Sequence, residues 1–336
     1  ENVGYMARAA FLVDRIMATT GLEGRAFVAM LSSMACAIPG IMATRTLPSS
    51  RDRIATTMAA PLMTCSARLP VYILLVSLLM PSDARVGFFN ARGVVMFALY
   101  IFGALSAMAT AALFKKFTAR SGPVLPFYME MPPYQVPRWR NVSAEVWTAT
   151  SAFLRKVTSI ILATTVVLWV LLNLPMRSDT EMAAAGIDMG DDAAVAAYVI
   201  DHSYAASVGK AVEPVFAPLG FDWRINIGVL SSLAAREVFV ATLGQVAAAE
   251  NPEEPARALR EMRVQSGPDA GRVLFDAPTI AALLVFFMYA LQCMSTVAVL
   301  RRESGSWKWP ALAFSYMFAL AWILALAART VVAAMT

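Results

Sequence analysis

The chain has 336 residues, of which 59% are hydrophobic and 15% are charged, and its mean hydropathy is +0.61. A soluble domain contains roughly 45–50% apolar and about 25% charged residues. The composition therefore excludes an ordinary cytosolic enzyme, a disordered chain and a nucleic-acid-binding domain, and it predicts an all-α polytopic membrane protein. In such a protein the net charge of +5 reflects topology, and the three cysteines are too few for a disulfide framework.

The opening of the chain does not have the pattern of a signal peptide. Glu1 is the first residue, and Arg8, Asp14 and Arg15 place charges in the segment that follows. We therefore expect the chain to be a segment of a longer protein.

Five stretches are long and apolar enough to cross a bilayer, which requires about 20 mostly apolar residues. Four of them contain no charge, namely Val94–Leu113, Val157–Met176, Ala277–Leu300 and Trp309–Ala328. The fifth, Ile54–Pro81, contains Arg68, which is expected to pair with an acid or with a helix C-terminus.

Two further apolar stretches are unusual. Ala26–Thr44 is interrupted by Pro39-Gly40, and Ile225–Ala249 has Arg236-Glu237 at its middle. Proline disrupts a helix, and charges in lipid are costly unless they face a partner or a cavity. Both stretches are therefore predicted to be broken or re-entrant helices whose irregular backbone is buried in protein or lines a cavity.

Loop charges predict the orientation. The segments Arg45–Arg53, Phe114–Lys156 and Arg301–Lys308 are rich in Lys and Arg and are predicted to be cytoplasmic. The charged residues of Arg177–Asp222 are mostly acidic, and this segment is predicted to lie outside. These assignments agree with each other if Ile225–Ala249 enters the membrane and returns to the outer side, because a full crossing would leave Arg301–Lys308 outside.

The two unusual stretches resemble each other. One contains L-S-S-M-A-C from Leu31 and the other contains L-S-S-L-A-A from Leu230, and each is followed by a segment with a cysteine. The separation of Leu31 and Cys65 matches that of Leu230 and Cys293 once the polar segment between them is set aside. Although a short match is common in apolar sequence, two copies that enter from opposite sides would form an inverted repeat. Secondary transporters often use this plan, with the substrate at the bilayer midplane.

The predicted organisation divides the chain into four parts. Residues 1–113 hold the first gate repeat and the following helix, and residues 114–156 form a cytoplasmic loop. Residues 157–222 hold a helix and the outer acidic loop, and residues 223–336 hold the second gate repeat and the C-terminal helix.

The three cysteines are candidate metal ligands. Cys36, Cys65 and Cys293 all lie in the repeated segments, and Ser66 and Met294 are the next residues after two of them. Thiolate and thioether ligands suit soft or borderline first-row metal ions such as ferrous iron. The alternative is that each cysteine is a small buried hydrophobic residue.

Polar residues at membrane depth form a second set of candidates. Arg236 and Glu237 could form a gate or an ion site, or could instead cap the ends of broken helices. Ser231 and Ser232 could hydrogen-bond across helices or touch the substrate. No stretch has the form G-x-x-x-x-G-K-[ST], so no phosphate-binding loop of that kind is expected in this chain.

Several long runs resemble motifs of the ferrous iron transport protein B (FeoB) family. They are E-N-V-G-Y-M-A-R-A-A-F, A-C-A-I-P-G-I-M-A-T-R-T, P-F-Y-M-E-M-P-P-Y-Q-V-P, G-V-L-S-S-L-A-A-R-E-V-F-V-A-T-L-G and L-Q-C-M-S-T-V-A-V-L-R-R-E. The similarity extends almost from one end of the chain to the other. It implies a membrane gate domain with two inverted repeats, in a family that imports Fe²⁺ across the bacterial inner membrane.

The resemblance also implies ligands and partners. The gate cysteines of the family correspond to Cys36, Cys65 and Cys293, and its gate glutamate corresponds to Glu237. GTP and Mg²⁺ would bind only to an N-terminal domain that is not expected in this chain, so the chain itself is predicted to be a transporter domain and not an enzyme. Expected partners are Fe²⁺, the lipid bilayer, small cytoplasmic accessory proteins and further copies of the protein in a homo-oligomer, but no nucleic acid.

Other functions remain open at this point. A permease for another divalent metal or for a nucleoside-like organic solute could use the same gate plan, although aromatic and amide side chains would then be expected at the midplane. A membrane enzyme would need a paired acid and base or a metal cage. A purely structural subunit would not need broken helices.

Overall fold

The computed structural model describes residues 5–19, 21–81, 84–118, 133–134, 136, 138–174, 192–250, 255–264, 271–291 and 293–335. Parts of three predicted segments lie outside these residues. They are residues 1–4 of the opening motif, residues 119–132, 135 and 137 of the predicted cytoplasmic loop, and residues 175–191 of the acidic outer loop.

The described residues are mainly helical. In the first half, the helices are α1 (Tyr5–Thr19), α2 (Gly24–Ala35), α3 (Ala37–Ala43), α4 (Ser50–Ala59), α5 (Leu69–Leu79) and α6 (Ala91–Thr118). Short 3₁₀ turns cover Thr44–Thr46, Ala60–Leu62 and Ser66–Arg68. An antiparallel hairpin of β1 (Arg85–Val86) and β2 (Phe89–Asn90) precedes α6.

The second half continues with nine helices among the described residues. They are α7 (Trp139–Asn173), α8 (Asp192–Asp201), α9 (Tyr204–Phe216), α10 (Trp223–Ser231), α11 (Val238–Glu250), α12 (Pro255–Glu261), α13 (Ala277–Tyr289), α14 (Met294–Ser304) and α15 (Lys308–Met335). A 3₁₀ turn, Ala217–Leu219, follows α9.

Four helical stretches among the described residues are long and apolar enough to cross a membrane, in agreement with the all-α, polytopic prediction. They are Ser50–Leu79, Ala91–Lys116, Ala277–Ser304 and Lys308–Met335. Large apolar side chains on α6, such as Phe97 and Leu105, are mostly exposed, which is the arrangement expected of a surface that faces lipid. Residues 157–173 of the predicted stretch Val157–Met176 fall in α7, but this helix already begins at Trp139, inside the predicted loop. Its first turns are polar, so a search for apolar residues detects only the later part.

Two stretches that were predicted as continuous spanning helices are broken. Ile54–Pro81 is interrupted at residues 63–65, and Ala277–Leu300 is interrupted between Tyr289 and Met294. Apolar composition alone does not reveal such breaks, because the residues on either side are as hydrophobic as those of a regular span.

The break in Ala26–Thr44 is real, but its predicted position is wrong. The helix is interrupted at Cys36, whose backbone is extended with φ −156° and ψ 138°. Pro39 and Gly40 are both helical residues of α3. Proline is tolerated there because the amide groups of the first helical turn have no partner within the helix.

The chain forms two compact units. The first comprises Glu1–Ala67, Phe97–Thr158 and Ser295–Met317, and the second comprises Arg68–Met96, Ser159–Met294 and Phe318–Thr336. In the first unit α2 packs against α1, α3 and α4. In the second unit α10 packs against α9 and α11, and α13 packs against α5. Edge-to-face contacts among Phe216, Phe286 and Phe318 fill part of the second core.

Ion pairs in the first unit join the three segments that were predicted to be cytoplasmic. Arg45 donates to both carboxylate oxygens of Glu303, at 2.7 and 2.5 Å. Lys115 lies 2.9 Å from the buried carboxylate of Asp52. The basic segments after α3, α6 and α14 are therefore neighbours, as the orientation by loop charge requires.

Candidate functional site

All three cysteines lie where helices are interrupted. Cys36 separates α2 from α3, Cys65 lies in the non-helical stretch before the 3₁₀ turn Ser66–Arg68, and Cys293 lies directly before α14. None of them is in a disulfide bond. A helix interruption leaves backbone carbonyl groups without intrahelical partners, so each thiol is close in sequence to oxygen atoms that can accept a hydrogen bond or bind a cation.

A hydrogen bond joins the two breaks of the first repeat copy, residues 31–66. The hydroxyl of Ser66, next to Cys65, donates to the carbonyl of Ala35, next to Cys36, at 2.8 Å. In a continuous helix the amide of residue 39 would donate to that carbonyl, but Pro39 has no N–H. The side chain of Ser66 therefore takes the place of a missing helical hydrogen bond.

Gly40 allows α3 to approach α2 closely. A Cβ atom at Gly40 would lie 1.8 Å from the hydroxyl oxygen of Ser33 and 2.8 Å from the carbonyl oxygen of Ala29. Ser33 is fully buried and its hydroxyl donates to that same carbonyl. The role of Gly40 is thus close packing of the two half-helices, which was predicted only as a helix break.

Thr64 is a polar neighbour of Cys65 that is not among the predicted site residues. It is 1% exposed, and its hydroxyl has no hydrogen-bond partner among the described residues. A Cβ atom at Gly103 of α6 would lie 2.4 Å from this hydroxyl oxygen. A buried hydroxyl without a partner is costly and adds an available oxygen beside the thiol.

A corresponding bond joins the breaks of the second repeat copy, residues 230–294. The amide of Met294, next to Cys293, donates to the carbonyl of Leu233 at 2.9 Å. The non-helical residues 232–237 separate α10 from α11 and include Arg236 and Glu237. In both copies, therefore, the residue after Cys65 or Cys293 is hydrogen-bonded to the end region of the first half-helix.

Arg236 caps a broken helix. Its side chain is buried and donates to the carbonyl oxygens of Phe287 and Ala290, at 3.4 and 3.2 Å, at the end of α13. Glu237 and Cys293 are half-buried, whereas Met294 is exposed. The capping alternative is therefore realised for Arg236, while Glu237 remains partly accessible.

The predicted serines make hydrogen bonds within the second copy. Ser231 contacts the hydroxyl of Thr242 on α11 at 2.9 Å, which joins the two half-helices. The hydroxyl of Ser232 donates to Val229 within its own chain segment at 2.6 Å. Arg68 is completely buried at the start of α5.

An apolar cavity of about 200 Å³ adjoins α10 in the second unit. Its walls are formed by Val167, Leu171, Ala205, Val208, Ile227, Leu230, Ser231 and Ala234. Only Ser231 contributes a polar side chain to this lining, and no aromatic or amide side chain is among these residues. The cavity therefore lacks the groups expected for a nucleoside-like solute.

A buried ion pair marks the start of α10. Asp222 accepts hydrogen bonds from the amides of Arg224 and Ile225 at 3.0 and 3.1 Å, and its carboxylate lies 3.4 Å from the guanidinium of Arg224. Burial raises the pKa of Asp222 to about 6, although Arg224 and the two amides act in the opposite direction. The sequence indicates this helix start, because an aspartate directly before an amphipathic run is typical of a helix N-cap.

The described residues do not contain a preformed metal cage of His, Cys, Asp and Glu. Within either unit, no three such side chains lie close enough to hold a metal ion. At the helix breaks, single thiols instead lie next in sequence to residues with backbone and hydroxyl oxygens.

Two family models match the chain. The model described as Gate, nucleoside recognition, matches residues 1–79 and 154–307. The model described as ferrous iron transport protein B C terminus matches residues 96–148. The first model alone covers more than half of the chain.

Similar curated proteins bear the name Fe(2+) transporter FeoB. The protein of Leptospira interrogans is 39% identical over 322 residues, which are 96% of this chain and 45% of that protein. The protein of Methanocaldococcus jannaschii is 33% identical over 326 residues, or 97% of this chain and 44% of that protein. A Porphyromonas gingivalis protein named as a fusion of Fe(2+) transport protein A and Fe(2+) transporter FeoB is 38% identical over 344 residues, or 96% of this chain and 40% of that protein.

The chain thus spans less than half the length of these relatives. No solved structure matches it. On the two family models and these relatives, the chain belongs to the ferrous iron transport protein B family.

Proposed function

We propose that this chain forms the membrane path by which ferrous iron crosses the bacterial inner membrane, as part of a multi-pass transporter. One observation carries the proposal: Cys36, Cys65 and Cys293 all lie at helix breaks. Thiols beside backbone carbonyl groups at helix breaks give soft and hard ligands together, which suits a borderline ion such as Fe²⁺. The names of the relatives support iron as the cargo.

The proposed path passes between two gate copies with opposite orientation. Cys36, Cys65 and Cys293 are its thiol ligands, with Ser66, Glu237 and Met294 as neighbouring donors. The contacts among the three basic segments support this topology, because they require the chain between Lys115 and Glu303 to return to the side from which it started.

Further parts of the transporter belong to the same proposal. GTP and Mg²⁺ act through a separate domain of the full-length protein, and the present chain has no enzymatic step of its own. Small cytoplasmic accessory proteins and a homo-oligomer are proposed partners. The fusion protein of Porphyromonas gingivalis supports the former, because its name joins a second transport protein to the transporter.

Anaerobic uptake of ⁵⁵Fe²⁺ into vesicles tests the thiol path. The full-length protein that contains this chain is compared with variants in which each cysteine is changed to serine, singly and together. We expect Cys65→Ser to lower uptake at least several-fold, because serine keeps the size but loses the soft thiolate ligand. Ser106→Ala is the matched control, since the hydroxyl of Ser106 bonds within its own helix to Gly103.

The outcomes separate the thiol path from its rivals. Normal uptake by the triple serine variant at wild-type membrane levels would contradict it. Competition by Mn²⁺ or Zn²⁺ at concentrations similar to Fe²⁺ would favour a less selective metal permease. Inhibition of transport by a nucleoside would favour an organic solute.

A further inference from the structure

The break in the second repeat copy contains a buried cation. Arg236 is 5% exposed, and its guanidinium donates to the carbonyl oxygens of Phe287 and Ala290. Among the described residues, no carboxylate lies within ion-pair distance of it. The charge is therefore balanced by the negative end of the α13 dipole and by carbonyl groups that the helix break leaves free.

The first repeat copy has a neutral cap near the corresponding helix end, one residue before the position that aligns with Phe287. Alignment of Leu31 with Leu230 puts Ala37 opposite Arg236, and alignment of Cys65 with Cys293 puts Met58 opposite Phe286. The carbonyl of Met58, near the end of α4, accepts a hydrogen bond from the hydroxyl of Tyr316 at 2.5 Å. A hydroxyl is sufficient to cap the broken helix there, so capping alone does not explain a charged group in the second copy.

Carbonyl groups at the ends of discontinuous helices coordinate the transported cations of several carriers. We propose that the carbonyl oxygens of Phe287 and Ala290 form a cation site, and that Arg236 occupies this site as a tethered cation. The guanidinium closes the second gate to small cations until an incoming ion competes for the same oxygens. This inference rests on the proposed role of the chain in cation transport, but it concerns a site that contains no thiol.

The charge of Arg236 has two consequences. It repels cations that do not bind the thiol of Cys293. It therefore raises the free-energy barrier to passage of abundant monovalent ions. A divalent ion that is bound by the neighbouring thiol has the stronger field, and it can therefore displace the guanidinium from the carbonyl oxygens.

Leak of K⁺ from vesicles that contain the full-length protein, measured without iron, separates charge from capping. Arg236→Gln keeps a hydrogen-bond donor and removes the charge, whereas Arg236→Lys keeps the charge. We expect the glutamine variant to leak K⁺ about tenfold faster than wild type, equivalent to about 1.4 kcal/mol of barrier. The lysine variant is expected to remain tight. Free guanidinium added to the Arg236→Gln vesicles is expected to suppress the leak.

Two control variants remove comparable groups elsewhere. Arg224→Gln changes another buried arginine of the same unit, which donates to the carbonyl of Arg263 at 3.0 Å. Tyr316→Phe removes the neutral cap of the first copy. Neither is expected to leak, because neither removes a charge from the proposed cation site.

Two outcomes would overturn the proposal. One is a glutamine variant that reaches wild-type membrane levels and stays tight, and the other is an equal leak in the glutamine and lysine variants. If the Arg236→Gln variant does not insert into the membrane, the Arg236→Lys variant still tests the proposal. Its weaker hold on the carbonyl oxygens should lower the half-saturating Fe²⁺ concentration, whereas a structural cap would lower only stability. If the K⁺ leak depends on the charge at position 236, the inference about Arg236 holds even when the triple serine variant transports iron normally.

Discussion

The hydroxyl of Ser66 donates to the carbonyl of Ala35 across 2.8 Å and so connects the break beside Cys65 to the break beside Cys36. In lipid, an unpaired carbonyl cannot turn to bulk water for a substitute partner. This side-chain bond therefore helps to hold together the two segments that carry the thiols of the first copy.

The first prediction follows from this bond. Ser66→Ala should destabilise the protein by about 1 kcal/mol, in the range of hydrogen bonds within membrane proteins, and should lower iron uptake. Thermal unfolding in detergent and vesicle uptake measure the two effects. Ser77→Ala serves as the control, because the hydroxyl of Ser77 bonds to Leu74 within its own helix. Equal effects of the two substitutions would show that the connection between the breaks is not important.

The second prediction concerns Gly40. A methyl group there meets the hydroxyl oxygen of Ser33 and the backbone of Ala29, so Gly40→Ala should cost about 1–3 kcal/mol despite the better helix propensity of alanine. Gly93→Ala in α6 is the matched control, because its added methyl group would meet no atom within 4 Å. Unfolding in detergent should show a lower free energy of unfolding for Gly40→Ala and an unchanged one for Gly93→Ala.

The third prediction is a pH dependence from Asp222. Its pKa in the folded protein, about 6, lies above the ordinary value of 3.8, so folding favours the protonated form. This contribution to stability is complete below about pH 4 and is lost as the pH rises through about 6. Asp222→Asn should remove this part of the pH dependence and retain the cap of α10. Unfolding midpoints of the two proteins between pH 4 and 7 provide the test, and parallel curves would contradict the assignment.

The fourth prediction concerns the side on which residues 250–276 lie. Arg257 and Glu261 of α12 are exposed there, and their ion pair is held at the surface. In a background without native cysteines, Arg257→Cys should react with an impermeant thiol reagent only from the outer side. Arg51→Cys, in a basic segment predicted to be cytoplasmic, should react only from the inner side. Labelling of both from the same side would exclude the inverted topology.

The amino-acid sequence predicted the class of fold, because long apolar runs and charged loops are direct consequences of the bilayer. It also located the irregular backbone near Arg236, since a charged pair in an apolar run needs a polar partner. The sequence places the break at Pro39-Gly40, because proline indicates a helix interruption. The residue type of Cys36 does not indicate that its backbone is extended.

The remaining errors have a similar origin. The interruptions near Cys65 and Cys293 lie in runs of ordinary apolar composition, and only tertiary contacts such as Met294 to Leu233 accommodate them. The cap of Met58 by Tyr316 depends on residues 258 positions apart, and no local pattern could indicate it. The role of each thiol in metal binding stays a prediction, because it depends on an ion and not on packing.

The closure of the first unit by Glu303 and Tyr316 has a consequence for biosynthesis. Arg45 and Met58 each bond to a partner that is 258 residues further along the chain. During translation, the first unit therefore leaves the ribosome and enters the membrane with a charged group and a helix end still unpaired. Its assembly cannot be complete until α14 and α15 have been made, so a nascent chain that is truncated before α14 should be a substrate for membrane quality control even though most of the first unit has already been made.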